Sequence, residues 1–452
     1  MHGQSGSDLP ADDGGPRGHI GRVVAGSLVA GLVAGLLLAF IPVVPAQEPR
    51  MTGALLCGLA LGWAMLAVLS VRFTDQPQRW ALVPSVFMGV GGLLLLVFGS
   101  WATVVLSWVW PPALLAMVVW MVVRVRRDLH SRSGRLLLYP VLAVLALAAA
   151  GGVYQVLGAA ADARAYPAPG QLVAVDGHRL HLQCTGSGSP TVVVQPGAGE
   201  MSSNWAWVAP AVARATRVCV YDRAGRGWSE PAGTAQDAEQ ISADLHTLLQ
   251  RAKVPGPYVV AGHSFGGLYT LTFAARYPDD VAGMVLVDST APAPGATPTS
   301  PGSANSYDVL GRASALLSGS ARVGLTRLYA TTEAGTLPPR SRGEVRASMA
   351  TTEGVRSTID EYVQAGASAR EAASLTDLAD TPLVVLTAGV GSAPDWSTKQ
   401  DRLAALSTNT SHRTVKGAAH AELVANEADA AKTTQAILDV VAAVRSNQPL
   451  AQ

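Results

Sequence analysis

Five long apolar stretches in the first 160 residues constrain this chain more than any other feature of its sequence. A helix needs roughly 20 apolar residues to cross a bilayer, and in lipid only a helix satisfies its own backbone hydrogen-bonding groups. The stretches that reach this length are residues 22–44, 51–71, 80–99, 101–123 and 136–160. One such run alone also suits a buried core helix or a signal peptide. Five in series predict an α-helical transmembrane bundle within residues 1–162.

Basic residues in the connections predict how this bundle is oriented, because Lys and Arg accumulate on the cytoplasmic side of short loops. Every second connection is basic, and the alternate loops hold only Arg50. The basic positions are Arg17 and Arg22 at the first stretch, Arg72 and Arg79 before the third, and Arg124, Arg126, Arg127, Arg132 and Arg135 before the fifth. We therefore expect the amino terminus to lie on the cytoplasmic side of the cell membrane. An odd number of crossings then places everything after about residue 162 outside.

The remainder of the chain has the mixed composition of an ordinary folded domain. After a Pro-rich linker at 163–170, short apolar runs bounded by Gly and Pro alternate with helical patterns over 171–446. This alternation predicts an α/β domain, with a mostly parallel sheet covered by helices on both faces. The interval from about 291 to 376 breaks the alternation and is predicted to be an inserted helical lid. The net charge of +1 gives no reason to expect nucleic acid as a partner.

A small-residue segment, Gly262-His-Ser-Phe-Gly266, lies directly between the apolar run Tyr258–Ala261 and a helical pattern. It matches G-x-S-x-G, a weak pattern by itself that gains meaning between a strand and a helix. Small residues permit a tight turn there, which would expose the hydroxyl of Ser264 above the sheet. The helix that follows directs free N–H groups and the positive end of its dipole toward developing negative charge.

Four motifs in order make residues 171–446 resemble an α/β-hydrolase-fold serine hydrolase of the esterase type. Besides the serine turn, Val192–Gly199 (VVVQPGAG) resembles the strand and loop that ends in His-Gly in many members. Tyr221–Ser229 (YDRAGRGWS) resembles the D-x-x-G-x-G-x-S loop, and Gly417–His420 resembles the loop that bears the catalytic histidine. The resemblance implies a nucleophile elbow, a catalytic triad and no cofactor. It does not extend to residues 1–162.

A serine nucleophile needs an adjacent base, and His420 is the histidine that fits. Six of the nine histidines lie in predicted cytoplasmic segments or precede the elbow in sheet order. His263 is expected to point away from the serine into the core, and His412 is expected to precede the last strand. His420 follows that strand, at the edge where Ser264 is expected.

The triad also needs a carboxylate that orients the base, and two aspartates preserve the order Ser, Asp, His. Many family members carry this acid shortly after the strand that corresponds to Leu383–Thr387, where the first acid in this chain is Asp395. Other members place it at the end of the preceding strand, where this chain has Asp288. Asp288 lies at the strand edge without an intervening loop and is favoured, while Asp395 remains the alternative.

The oxyanion hole of such an enzyme consists of two backbone N–H groups. The resemblance assigns one to Phe265, next to the nucleophile, and the other to Gly197 in the loop after Val192–Val194. Gln195-Pro196 replaces the usual His-Gly, and because proline has no N–H, either Gly197 or Ala198 must donate. No metal-ligand cluster or phosphate-binding glycine loop appears in the sequence, so neither a metal nor another cofactor is expected.

The sequence thus predicts a membrane-tethered serine hydrolase that cleaves an ester, or less readily an amide or thioester, outside the cytoplasmic membrane. The expected partners are the lipid bilayer and a small-molecule ester, with a lipid-like ester suggested by the nearby membrane. The alternative is a hydrolase-fold domain that binds a ligand without catalysis, as a sensor on a membrane anchor. In the hydrolase fold Cys184 and Cys219 lie on neighbouring strands, which predicts a disulfide that suits an oxidising compartment.

Overall fold

The computed structural model describes residues 19–292, 309–332, 335–391 and 393–450. Arg17 and the first part of the expected lid, residues 293–308, lie outside the described residues. The chain divides into two compact units, Met1–Val153 and Tyr154–Gln452.

The first unit is helical, as the apolar stretches predict. Five helices are long and apolar enough to cross a membrane among the residues described. They are α1 (Ile20–Phe40), α2 (Glu48–Phe73), the span Arg79–Phe98, which consists of a 3₁₀ turn (Arg79–Ala81) and α3 (Leu82–Phe98), α4 (Ser100–Asp128) and α5 (Arg132–Ala165), whose last turns belong to the second unit. This composition and length indicate a membrane protein.

Glycines allow α1 and α2 to pack with their backbones in close contact. A Cβ atom added to Gly58 would collide with the backbone of Gly35, and one added to Gly31 would come within 2.8 Å of the Gly62 Cα. Without a hydrophobic driving force between helices in lipid, such small residues supply the close van der Waals packing that holds a bundle together. Larger side chains at these positions would separate the two helices.

The second unit is built on one eight-stranded sheet in the order β1-β2-β4-β3-β5-β6-β7-β8. Strand β2 pairs antiparallel with β1 and β4, and all other pairs are parallel. The strands are β1 (Gln171–Val175), β2 (His178–Thr185), β3 (Thr191–Gln195), β4 (Val218–Tyr221), β5 (Tyr258–His263), β6 (Val281–Val287), β7 (Leu383–Val390) and β8 (Thr410–Ala419).

Helices cover both faces of this sheet, and a helical insertion follows β6. Between the strands and at the end lie α6 (Val208–Val212), α7 (Ala238–Arg251), α8 (Gly266–Arg276), α14 (Trp396–Ala404), α15 (Glu422–Ala425) and α16 (Glu427–Ser446). The insertion consists of α9 (Val309–Ser318), α10 (Leu325–Ala330), α11 (Pro339–Met349), α12 (Thr352–Val363) and α13 (Ala365–Ala372). Within the described residues, the interval predicted to be a lid is therefore a helical insertion, and the name lid is kept for α9 to α13.

The central strands are buried on both faces, which explains their near-continuous apolar sequence. All residues of β3 and β5 are buried. Side chains alternate between two cores: Val194 packs in the cluster that contains α16, and Val260 packs in the cluster that contains α7. Burial on both faces is the reason that these strands could be recognised without a polar alternation.

Two details of the sheet bear on the sequence predictions. Cys184 and Cys219 are register partners on β2 and β4 and form the predicted disulfide. Strand β8 begins at Thr410, so His412 lies inside the strand rather than before it as expected. There the His412 ring bonds Thr387 Oγ1 and Asp401 Oδ1, each at 2.8 Å. His412 is thus held in a polar cluster of its own on the sheet.

Candidate active site

Ser264 lies on a sharp bend between β5 and α8, and this bend depends on glycine on both sides. A Cβ atom at Gly262 would collide with the Gly266 carbonyl, and one at Gly266 would collide with the Gln195 carbonyl. Ser264 itself has φ 55°, a left-handed conformation that few residues other than glycine adopt. Such local strain concentrates at functional sites.

Asp288 and His420 meet at the same edge of the sheet. Asp288 follows the last residue of β6, and its Oδ2 lies 2.6 Å from His420 Nδ1. The elbow is joined to this edge, because the Ser264 amide donates to the Val287 carbonyl at 3.1 Å. Asp288 also has a positive φ, 41°, which turns its carboxylate toward the loop after β8. The structure therefore brings two of the three proposed triad side chains into hydrogen-bond contact and the third to the neighbouring strand end.

The second oxygen of Asp288 is held by donors that the sequence did not suggest. Trp396 Nε1 donates to Asp288 Oδ1 at 2.7 Å, and the Ala388 amide donates to it at 3.0 Å. Burial raises the pKa of the Asp288 carboxyl, but the hydrogen bonds from His420, Trp396 and Ala388 outweigh it, and the pKa lies below its ordinary value. The carboxylate is thus ionised and fixed in orientation.

Asp395, the alternative acid, lies away from this contact. Its side chain is 62% exposed and pairs with Lys399 at 2.7 Å, one turn along α14. Its neighbour Trp396 is the residue of this segment that reaches Asp288. The geometry favours Asp288 as the partner of the histidine.

The two backbone N–H groups assigned to the oxyanion hole differ in their surroundings. Phe265 is the N-cap of α8, where backbone N–H groups have no partner within the helix. The Gly197 amide, in contrast, donates to Glu200 Oε2 at 2.6 Å. An oxyanion that uses Gly197 must therefore displace this carboxylate oxygen. Sequence reasoning did not identify Glu200, although it ends the same Pro/Gly-rich loop.

Glu200 also binds His263, whose surroundings differ from the prediction. His263 is 1% exposed, but it does not point into the apolar core. Its Nδ1 lies 2.8 Å from Glu200 Oε1, and its Nε2 donates to the His420 carbonyl at 3.1 Å. His263 is therefore buried as expected, but its partners are polar groups of two loops at this edge of the sheet. The His263 imidazole thus joins two loops. One is the loop of residues 196–200, called the oxyanion loop because it contains the expected donor Gly197, and the other bears His420.

The Glu200–His263 pair shifts the pKa values of both groups in opposite directions. Burial lowers the pKa of the His263 imidazole, but the charge and hydrogen bond of Glu200 outweigh it, and the net pKa is raised. Burial raises the pKa of the Glu200 carboxyl, but the charge and hydrogen bond of His263 and the Gly197 amide lower it overall. Both shifts favour the ion pair.

Replacing Glu200 with Gln is expected to lower stability in a pH-dependent way. The contribution of His263 is complete below its unfolded pKa of about 6.5 and is lost as the pH rises through the higher folded pKa. The contribution of Glu200 is complete above its unfolded pKa of about 4.3 and is lost as the pH falls through the lower folded pKa. The melting temperatures of wild type and Glu200→Gln should therefore differ most between about pH 4.3 and 6.5.

Thermal melts of both proteins from pH 4 to 9 in the same detergent measure this difference. Glu239→Gln is the control, because the Glu239 side chain is 58% exposed and its partner Arg276 is 41% exposed. A difference between wild type and Glu200→Gln that stays constant from pH 5 to pH 9 would contradict the ion pair.

A family model described as the alpha/beta hydrolase fold matches residues 190–366, from β3 into the helical insertion. The second unit is an α/β-hydrolase-fold domain. The matched segment includes the serine elbow and Asp288, and the strand order continues the fold through β8 to His420. The resemblance deduced from four sequence motifs is confirmed at the level of the fold.

Individual proteins match this chain only in part. An uncharacterised protein of Schizosaccharomyces pombe is 35% identical over 155 residues, which is 28% of this chain and 29% of that protein. An uncharacterised vacuolar membrane protein of Saccharomyces cerevisiae is 29% identical over 133 residues, 25% of this chain and 20% of that protein. The structure of a thermophilic esterase from Thermogutta terrifontis has a TM-score of 0.45 at 22% identity, covering 61% of this chain and 99% of that one. The chain thus spans less than a third of the length of these two relatives.

A buried ion pair links the lid of the hydrolase domain to the oxyanion loop. Arg223 donates to the carbonyls of Pro196 and Gly197 at 2.6 and 2.7 Å and to Glu361 Oε1 at 2.8 Å. Glu361, on α12, accepts from the Gly199 amide at 2.8 Å through its other oxygen. The side chains of Arg223 and Glu361 are 2% and 3% exposed. The conformation of the oxyanion loop therefore depends on a lid residue.

Replacing Glu361 with Ala should destabilise the hydrolase domain by about 3–5 kcal/mol, because the buried Arg223 charge loses its partner. The exposed pair Arg179–Glu230 is the control, with side chains 56% and 40% exposed. Glu230→Ala should cost no more than about 1 kcal/mol. Denaturant unfolding followed by tryptophan fluorescence compares the two variants with wild type. Equal, small losses for both would contradict a structural role for the Arg223–Glu361 pair.

The lid also contacts the elbow directly. Tyr362 at the end of α12 packs edge-on against Phe265, with ring centroids 5.3 Å apart.

In the part of the chain that the structure describes, no three His, Cys, Asp and Glu side chains converge as a metal site requires. The groups that converge at this edge of the hydrolase domain are a hydroxyl, an imidazole, a carboxylate and amide N–H groups, which is the set that acyl transfer uses.

Proposed function

We propose that the protein is a membrane-anchored serine hydrolase that cleaves an ester bond. Ser264 is the nucleophile, His420 the general base and Asp288 the acid that orients it. The observation that carries the proposal is the 2.6 Å contact between Asp288 Oδ2 and His420 Nδ1, at the sheet edge where Ser264 is held at φ 55°. A carboxylate on Nδ1 leaves Nε2 as the nitrogen that accepts the serine proton.

The proposed reaction proceeds in two halves. Ser264 Oγ attacks the ester carbonyl while His420 Nε2 takes its proton, and the negative oxygen is bound by the Phe265 amide and by Gly197 once Glu200 gives way. Collapse of this intermediate transfers the proton to the leaving alcohol and gives an acyl-serine. Water, activated by the same imidazole, then releases the acid and restores the serine. The ionised Asp288 stabilises the imidazolium in both halves.

A comparison of matched acyl esters, thioesters and amides tests the substrate class. The full chain in lipid nanodiscs should hydrolyse the ester with the highest kcat/KM, since an oxyanion hole and one imidazole suffice for an alkoxide leaving group. An acyl series from two to sixteen carbons then defines the length that the lid accepts. A folded wild type that binds the compounds and hydrolyses none of them would contradict the proposal and favour the ligand-binding alternative.

We further propose that the hydrolase domain lies on the extracytoplasmic side of the membrane. The alternating basic loops support this orientation, and so does the Cys184–Cys219 disulfide, since disulfides persist in oxidising compartments. Ala431 on α16 and His130 between α4 and α5 are both exposed and provide labelling sites. In a Cys57→Ser background, an impermeant maleimide should label Ala431→Cys in intact cells and His130→Cys only after lysis. The reverse pattern would contradict this orientation.

A further inference from the structure

The lid helix α10 is joined to the last turns of α5 by polar contacts within the second unit. Arg327 Nε donates to Gln155 Oε1 at 3.0 Å, and Arg327 Nη1 lies 2.7 Å from Asp162 Oδ2. Gln155 Nε2 donates in turn to the Ala350 carbonyl at the end of α11, at 2.8 Å. The Arg327 and Asp162 side chains are only 12% and 25% exposed. These contacts fix α10 and α11 beside one short segment of α5.

The opposite face of α10 is apolar and exposed. Leu325, Leu328 and Tyr329 are 58%, 62% and 58% exposed, and their spacing of three and four residues puts them on one face of the helix. Arg327 and the buried Ala330 face the protein. Single exposed apolar residues are ordinary, but a face made of three large ones indicates a surface that meets an apolar partner.

The length of α5 places this face at the boundary of a bilayer. Residues 136–161 of α5 carry no charged side chain. At 1.5 Å per residue this uncharged run is about 39 Å long, whereas the hydrocarbon core is about 30 Å thick and accommodates roughly 20 residues. Counted from Leu136, the hydrocarbon core ends near Gln155, and Asp162 lies in the headgroup region. Because Arg327 contacts both Gln155 and Asp162, α10 lies beside the end of this 20-residue span.

We propose that the face formed by Leu325, Leu328 and Tyr329 inserts into the interfacial region of the bilayer, as a second membrane contact separate from the transmembrane helices. Leucine side chains are favoured in the acyl boundary, and tyrosine is enriched at the interface because its ring is apolar and its hydroxyl is wet. This contact does not depend on the proposed hydrolase activity.

The charged residues near α10 also suit contact with a lipid bilayer. Between residues 322 and 346 the sequence has two acids, Glu333 and the buried Glu344, and five arginines. The arginines are Arg322, Arg327, Arg340, Arg342 and Arg346. Basic residues beside an apolar face attract anionic lipid headgroups, as in helices that lie in the plane of a membrane. The surface therefore suits a lipid bilayer that contains anionic lipid.

Fluorescence quenching by spin-labelled lipid tests the contact without an activity measurement. The full chain, in a Cys57→Ser background with the disulfide intact, carries an environment-sensitive label on Leu328→Cys and is placed at one copy per nanodisc. The lipids contain a doxyl group near the top of the acyl chain. Val144→Cys on α5 is the positive control, because Val144 is 64% exposed in the apolar run. Ala431→Cys, exposed on α16, is the negative control.

The proposal predicts that doxyl lipid quenches the label on Leu328→Cys at least half as strongly as the label on Val144→Cys, and leaves Ala431→Cys unquenched. Quenching at Leu328→Cys that increases when anionic lipid is added would further support it. If Leu328→Cys behaves like Ala431→Cys while Val144→Cys is quenched, the proposal is wrong. A label on Leu328→Cys that becomes shielded only when two copies share a nanodisc would assign this face to a second copy of the chain instead.

Discussion

Replacement of Ser264 by Ala is expected to lower kcat for ester hydrolysis by about 10⁶-fold, the size of loss found when a serine nucleophile is removed from an intact triad. The remaining groups, Asp288 and His420, are not expected to compensate, because triad residues act as a unit and His420 has no proton to accept without the hydroxyl. Initial-rate measurements with the best ester of the acyl series give kcat for both proteins. The KM should change little, since the serine hydroxyl contributes little to substrate binding.

Two further variants make this result specific. Ser446→Ala removes a hydroxyl from the exposed end of α16, where it bonds only helix carbonyls, and should retain wild-type activity. Ser264→Gly should be as inactive as Ser264→Ala but at least as stable, because glycine adopts φ 55° without strain. Retention of more than about a hundredth of the activity in Ser264→Ala would mean that the nucleophile lies elsewhere.

Replacement of Asp288 by Asn is expected to lower kcat by about 10⁴-fold, because an amide at this position favours the wrong tautomer of His420 and no longer stabilises the imidazolium. The effect should be largely confined to kcat. Trp396 and Ala388 would still hold one side-chain oxygen of Asn in place, so the fold should survive. Steady-state kinetics with circular dichroism as a folding check measures both parts of the prediction.

Asp395→Asn is the matched control, since it makes the same chemical change in the alternative acid. Asp395 pairs only with the exposed Lys399, and its replacement should change kcat by less than about twofold. An inactive Asp395→Asn beside an active Asp288→Asn would reverse the assignment of the acid. Loss of activity in both variants would show that the loop around Trp396 must keep its charge for catalysis.

The elbow and the positions of the central strands along the chain could be predicted because local sequence determines them. Gly262 and Gly266 are required by backbone contacts within a few residues or to the adjacent strand, and apolar runs such as Tyr258–Ala261 mark strands buried on both faces. The sequence favours Asp288 over Asp395 as the triad acid but does not decide between them. The choice depends on a positive φ at Asp288 and on hydrogen bonds across the carboxyl ends of β6 and β7, which no local pattern encodes.

The groups that sequence reasoning missed act over long separations. Glu361 and Arg223 are 138 residues apart in the chain, and Glu200 reaches His263 across 63. The position next to the nucleophile predicts that His263 is buried, but it does not predict that Glu200 supplies a charged partner there. A charged residue such as Arg223 in an otherwise Gly-rich loop was the available signal, because a buried arginine requires a carboxylate partner.

Covalent labelling is the most direct measurement of whether Ser264 is an activated nucleophile. The full chain in nanodiscs is treated with a fluorophosphonate probe, digested and analysed by mass spectrometry. We expect Ser264 to be the one phosphonylated residue in wild type. Labelling should be slow in His420→Ala and Asp288→Asn and absent in Ser264→Ala. A folded wild type that remains unlabelled at Ser264, or that is labelled as fast without His420, would contradict this expectation.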